Sequence, residues 1–177
     1  MQELCYSALD IAVIVSRMHL GCRDKSRILD QIWEKEKVFL HAPYRTNKRK
    51  FILDIYQWSQ YFYDKPIIDR EIPAIQKDLE HINRTLLAEE LTSDFSDLDL
   101  FFKSIRIRIL YGYGNDYVRI KLRTLLKKYG YKRRSQLFLQ HINRRMLFYH
   151  LEATLSGGVP CTIEDIDLDQ MLTFRVI

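Results

Sequence analysis

Apolar residues in the first forty positions recur at intervals of three and four. Leu4, Ala8, Ile11, Val15 and Met18 predict an amphipathic helix over 3–20, stopped at Leu20-Gly21. Ile28, Ile32, Trp33 and Phe39 predict a second helix over 24–40, with Asp24 as its N-cap. Together they read as a helical hairpin over 1–42. A lone hairpin cannot bury both of its faces, so it packs into a core or pairs with a second copy. His41–Lys50 reads as a loop broken by Pro43 and ending in a basic cluster. Phe51, Ile55, Trp58 and Phe62 predict a helix over 49–63, ended by Lys65-Pro66. Ile75, Leu79, Ile82, Leu86 and Leu87 predict a fourth helix over 69–91, with Pro73 tolerated in its first turn.

The period then shortens. After an acidic turn over 92–99, Lys103–Leu110 alternates, with Ile105, Ile107 and Ile109 on one side and Arg106 and Arg108 on the other. That pattern predicts a half-buried strand. Tyr111-Gly-Tyr-Gly-Asn115 reads as a turn and a domain boundary. A helix is expected from Asp116, as N-cap, to Tyr129, with Gly130 as its stop. Another is expected over 133–155, with a break near 141–144. Ser156-Gly-Gly-Val-Pro160 ends it, and strands are expected over 161–169 and 171–177.

The two halves match in sequence. Leu79-Glu-His-Ile-Asn-Arg-Thr-Leu-Leu87 aligns with Leu139-Gln-His-Ile-Asn-Arg-Arg-Met-Leu147, identical at six of nine positions. Asp97-Leu-Asp99 aligns with Asp167-Leu-Asp169, and an alternating segment follows in each half. This is the signature of a duplicated unit. Helix, tight turn, helix and two strands in that order resemble a winged helix-turn-helix. The resemblance is closest over Leu122–Ile177, about a third of the chain, which is similar to small winged-helix modules of bacterial proteins. It implies an α+β, mainly helical fold: the hairpin 1–42, a first winged-helix-like unit over 43–111 and a second, basic one over 112–177.

Charge separates the two copies. The chain carries 28 Lys+Arg, 23 Asp+Glu and a net charge of +5. Tyr117–Leu151 alone holds ten bases and no acid, whereas Glu152–Ile177 holds five acids and only Arg175. A local basic segment on a helix pair is the footprint of nucleic-acid binding. Lys127, Lys128, Lys132, Arg133, Arg134 and Ser135 would form a phosphate clamp at a helix start, where backbone N–H groups and the helix dipole favour anions. Gln140, Asn143, Arg144 and Arg145 would lie on the second helix, where Asn or Gln can read adenine and Arg guanine. A solvated cap and an ordinary polar helix face would show the same residues. Arg106, Arg108 and Arg175 read as solvent-side strand positions. The expected partner is nucleic acid, duplex DNA first, bound by a homodimer or within a larger protein complex.

Other chemistry finds less support in the residues. P-loop, HExxH and GxSxG motifs are absent. Gly112-Tyr-Gly114 lacks the third glycine of a dinucleotide loop, and His19-x-x-Cys22 lacks a second ligand pair for zinc. No metal, no cofactor and no catalytic set are expected, so the chain reads as a non-enzyme. Arg145 and His150 match the Arg-x4-His spacing of HEPN-type ribonucleases, a resemblance that implies His150 as acid/base and Arg145 as transition-state stabiliser. Tandem winged helices also serve as non-catalytic scaffold subunits of SMC/kleisin-type complexes, which leaves a scaffold as the rival to a DNA binder. No apolar run approaches the ~20 residues of a membrane span, and MQEL does not open a signal peptide. Three cysteines fit a reducing compartment. A bacterial, cytoplasmic protein without membrane contact is expected.

Overall fold

The computed structural model describes residues 4–18, 20–71 and 96–177, the side chains of 61–71 and 96–97 excepted. His19, most of the expected 69–91 helix and the first copy of the repeated segment, 79–87, lie outside the described residues. The chain divides into two compact units that meet at Ser96–Asp97.

The N-terminal unit is helical. α1 (Ala8–Ser16) starts later than the apolar spacing predicts, because Ser7 and Asp10 form a capping box. Asp10 N–H donates to Ser7 Oγ at 3.1 Å and Ser7 N–H donates to Asp10 Oδ2 at 2.8 Å. Upstream, Tyr6 leaves the helical pattern to bridge Leu40 in parallel. α2 (Cys22–Lys35) is capped by Gly21, not Asp24, which sits in its first turn. A 3₁₀ turn, Lys37–Phe39, follows. The expected loop at 41–50 contains the short α3 (Ala42–Arg45), whose N-terminus accommodates Pro43 because the first turn needs no N–H from it. α4 (Lys48–Glu71) runs through Lys65-Pro66, the expected stop; a long helix absorbs the loss of one backbone bond. α1, α2 and α3 all pack on α4. Ile11, Ile14, Ile28, Ile32, Phe51 and Ile55 are therefore buried within the chain.

The C-terminal unit begins with the largest departure from the sequence pattern. KSIRIRIL is not a strand: it belongs to α5 (Ser96–Tyr111). Leu98, Phe101, Phe102 and Ile105 are all buried, at helical spacing that starts before the alternating stretch. An eight-residue window hid that period. The expected unit over 43–111 accordingly contains no strand among its described residues, and the closing strands of the proposed repeat do not correspond. Arg106 is buried instead of solvent-facing, donating to the Tyr149 carbonyl at 3.0 Å; Arg108 is exposed.

The turn at 112–117 leads into β1 (Val118–Lys121), where a helix was expected. Then come α6 (Leu122–Lys128), α7 (Gln136–Phe148), β2 (Leu151–Thr154) and β3 (Met171–Val176). α7 is unbroken through 141–144 and ends before the expected 155, where β2 takes over. The segment 161–169 is a series of turns rather than a strand. The three strands form one antiparallel sheet in the order β1-β3-β2, with Val118 opposite Phe174 and Ala153 opposite Phe174. Leu172 and Phe174 face the core, where Phe101 and Phe102 meet Phe174 edge-on. The architecture is thus mixed α and β, mainly helical, with one small sheet.

Candidate nucleic-acid interface

The turn between α6 and α7 is built by local rules. Gly130 adopts φ +79, a conformation L-residues avoid. Tyr131 N–H then donates back to Leu126 O at 2.9 Å and Gly130 N–H to Lys127 O at 3.3 Å. That is a Schellman closure. The Tyr131 ring packs on Phe138 at 4.7 Å between centroids, tying the end of one helix to the start of the next. Ser135 caps α7 by accepting from Phe138 N–H at 3.2 Å. Ser135 therefore has a structural task at a helix start that holds no acid.

The basic residues divide into two groups. Lys127 and Lys128 at the end of α6, and Lys132 and Arg133 in the turn, are exposed. On α7, Phe138, Leu139 and Ile142 are buried, while Gln136, Leu137, Gln140, Asn143, Arg144 and Leu147 are exposed along the outer side. Gln140, Asn143 and Arg144 thus share a face. Arg134 and Arg145 do not join them. Arg134 turns its guanidinium to the segment after β2, donating to the carbonyls of Ile163, Glu164 and Ile166 at 3.1, 2.9 and 2.6 Å. Arg145 is only 5% exposed and grips Asp99 of α5 with two bonds of 2.8 and 2.7 Å.

Asp99 is also 2.5 Å from His141 Nε2, so one carboxylate joins two successive turns of α7 to α5. Burial alone would raise the Asp99 pKa; the His141 hydrogen bond and the Arg145 bonds and charge outweigh it and hold the carboxyl below its ordinary value. Asp99 and His141 are not legible as a pair in the sequence, since 42 positions separate them and no local pattern joins them. Arg145, read as a base-reading or catalytic residue, is instead a buried strut. Of the Arg145–His150 pair, Arg145 is turned inward to Asp99, and His150 is exposed beyond the helix end with φ 50.

The fold also moves acids against the acid-free segment. Glu164, Asp165, Asp167 and Asp169 are exposed between β2 and β3. Arg123 binds Asp169 through two bonds of 2.7 and 2.8 Å, lowering the Asp169 pKa and raising its own. The segment is anchored by buried Ile163 and Ile166, by Arg123 N–H donating to Leu168 O at 2.7 Å, and by Arg134. The ten bases of Tyr117–Leu151 are therefore partly offset, and the exposed basic surface is narrower than the sequence run. No helix among the described residues is long and apolar enough to cross a membrane. No protein-family model, curated protein or solved structure matches the chain.

Proposed function

We propose that the unit Asp97–Ile177 is a winged helix-turn-helix that binds duplex DNA through the outer face of α7 and the turn before it. The observation that carries this reading is the exposed set Lys132, Arg133, Gln140, Asn143 and Arg144, on a capped helix and the turn before it, with the helix's other side locked into a core. The element order α5-β1-α6-α7-β2-β3 and strand order β1-β3-β2 support the winged-helix reading. In helix-turn-helix proteins the second helix of the pair enters the major groove. Lys132 and Arg133 would meet phosphate, and Gln140, Asn143 and Arg144 would face base edges. The acidic segment over 164–169, the position of a wing, would be repelled by phosphate, so the helix and turn would carry the contact. Titration of a fluorescent 20-base-pair duplex tests this. K132A/R133A should weaken binding at every sequence, and R144A should weaken it with a change in sequence preference. Wild-type affinity that is undetectable at low salt, or unchanged in K132A/R133A, contradicts the proposal.

A second reading is favoured by a specific feature. Leu137 and Leu147 are 65% and 80% exposed on the same side of α7 as Gln140 and Arg144. Two leucines bracketing a polar face suit a protein partner in a scaffold complex. L137S/L147S should leave duplex affinity within about twofold if DNA is the partner, because phosphate charge carries most of that affinity. A stable heteromeric complex lost in L137S/L147S, with no duplex binding by the wild type, would favour the scaffold.

A further inference from the structure

The other side of the sheet carries a second basic surface, away from the Leu172–Phe174 core face. Cross-strand partners share a face, so the register places Arg119, Lys121, Thr154, Met171, Thr173 and Arg175 together, and Tyr117, just before β1, joins them through its ring. The guanidinium carbon of Arg119 lies 4.5 Å from the Tyr117 ring centroid, and that of Arg175 lies 5.7 Å from it. Each guanidinium is also tied to the sheet. Arg119 Nε donates to Thr173 Oγ1 at 3.3 Å and Arg175 donates to Thr154 Oγ1 at 3.4 Å. Both hydroxyls are buried beneath these side chains, while Arg119 and Lys121 remain exposed. Two planar cations are thus held around one aromatic ring, beside a lysine, on a flat strand surface. Glu152, opposite Arg175, brings an acid to this face, and Asp169, bound to Arg123, lies close enough to Lys121 to feel its charge.

We infer that this face is a binding platform for single-stranded nucleic acid, distinct from the duplex surface of α7. Planar guanidinium and aromatic groups stack on exposed bases, and the positive charges follow the phosphates. A duplex hides its base faces and cannot use the stacking groups, and an acidic peptide would use the charge alone. The platform goes beyond the α7 reading and does not depend on it, since none of its residues belongs to the α7 face.

The test uses the full chain and fluorescent 12-mers of oligo-dT and oligo-U, with a duplex measured in parallel. R119Q/R175Q should weaken binding of the single strands about tenfold or more and leave duplex affinity within about twofold. K132A/R133A should do the reverse. Tyr117→Leu should weaken the single strands at unchanged net charge, and Tyr117→Phe should retain them. Photo-crosslinking of a 4-thiouridine-containing strand to wild-type protein, which requires no variant to fold, should map to Tyr117 or its neighbours on β1 and β3. Equal binding of dT and U marks a platform for either strand, and preference for U marks RNA. Single-strand affinity unmoved by R119Q/R175Q, loss of single-strand and duplex binding together in that variant, or crosslinks confined to α7 would overturn the inference. Failure of duplex binding alone would leave the platform standing.

Discussion

Removing the Asp99 carboxylate should be among the most damaging single changes in the C-terminal unit. In Asp99→Ala, Arg145 is left charged, 5% exposed and without the acceptor of its two bonds, and His141 loses its 2.5 Å partner. Breaking a buried pair by deleting one member costs about 3–5 kcal/mol. The Asp99 side chain is 16% exposed, so some water reaches the vacated site, and the lower end, about 3 kcal/mol, is expected. Such a loss is a large share of the ~5–15 kcal/mol that stabilises an ordinary domain. Both tryptophans, Trp33 and Trp58, lie in the N-terminal unit. Urea unfolding should therefore be followed by NMR signals or hydrogen exchange of α7 amides. Arg145→Ala on the Asp99→Ala background should cost little or restore stability, because it removes the stranded charge. The folded-state pKa of Asp99 lies below its ordinary value. Its contribution is therefore fully present above the unfolded carboxylate value of about 3.9 and lost as pH falls through the lower folded value. The gap between wild type and Asp99→Asn should close as pH falls below the ordinary carboxylate value. A cost below about 1 kcal/mol, or strict additivity of the Asp99 and Arg145 substitutions, would refute the strut.

Three further outcomes follow from single contacts. Arg134→Ala frees the carbonyls of Ile163, Glu164 and Ile166; a loss of about 2 kcal/mol is expected, with faster hydrogen exchange over 161–170, and unchanged exchange there would contradict the anchoring role. Gly130→Ala forces a side chain into φ +79, where no neighbouring atom obstructs it, so only backbone strain of about 1 kcal/mol should appear in the unfolding midpoint. Burial and the 2.9 Å bond to Asp54 raise the Tyr44 pKa. That contribution is fully present below the unfolded tyrosine value of about 10 and lost as pH rises through the folded value, so Tyr44→Phe should flatten the alkaline fall in thermal stability.

Features governed by neighbouring residues were legible in the sequence. Gly130 ends α6 because a left-handed residue was needed there, and 171–177 alternates because β3 sets Leu172 and Phe174 against the core and Thr173 and Arg175 on its other face. The polar side of α7 was also visible, as Gln140, Asn143 and Arg144 follow helical spacing. Features set by distant contacts were not. VRIK becomes a strand because Val118–Lys121 pairs with Met171–Phe174, fifty or more residues away, and this overrides its continuity with the helix after it. Ile105, Ile107 and Ile109 suit a strand locally, yet the aromatic residues at 101 and 102 must meet Phe174, and a helix presents them there. Arg134 and Arg145 looked like their exposed neighbours Arg133 and Arg144. Only the fold supplies the three carbonyls and the carboxylate that draw them inward.

The central claim, duplex binding by the exposed part of the basic segment, is tested most directly by the salt dependence of affinity. Apart from Arg123, which is bound to Asp169, the exposed bases of α6, α7 and the turn between them are Lys127, Lys128, Lys132, Arg133 and Arg144. If three to five of them neutralise phosphates, log affinity should fall against log salt with a slope of about −3 to −5. K132A/R133A should make that slope shallower by about 2, whereas Arg134→Ala, whose charge already serves the 161–170 segment, should change it far less. A slope near zero, or one that Arg134→Ala reduces as much as K132A/R133A does, would contradict the account.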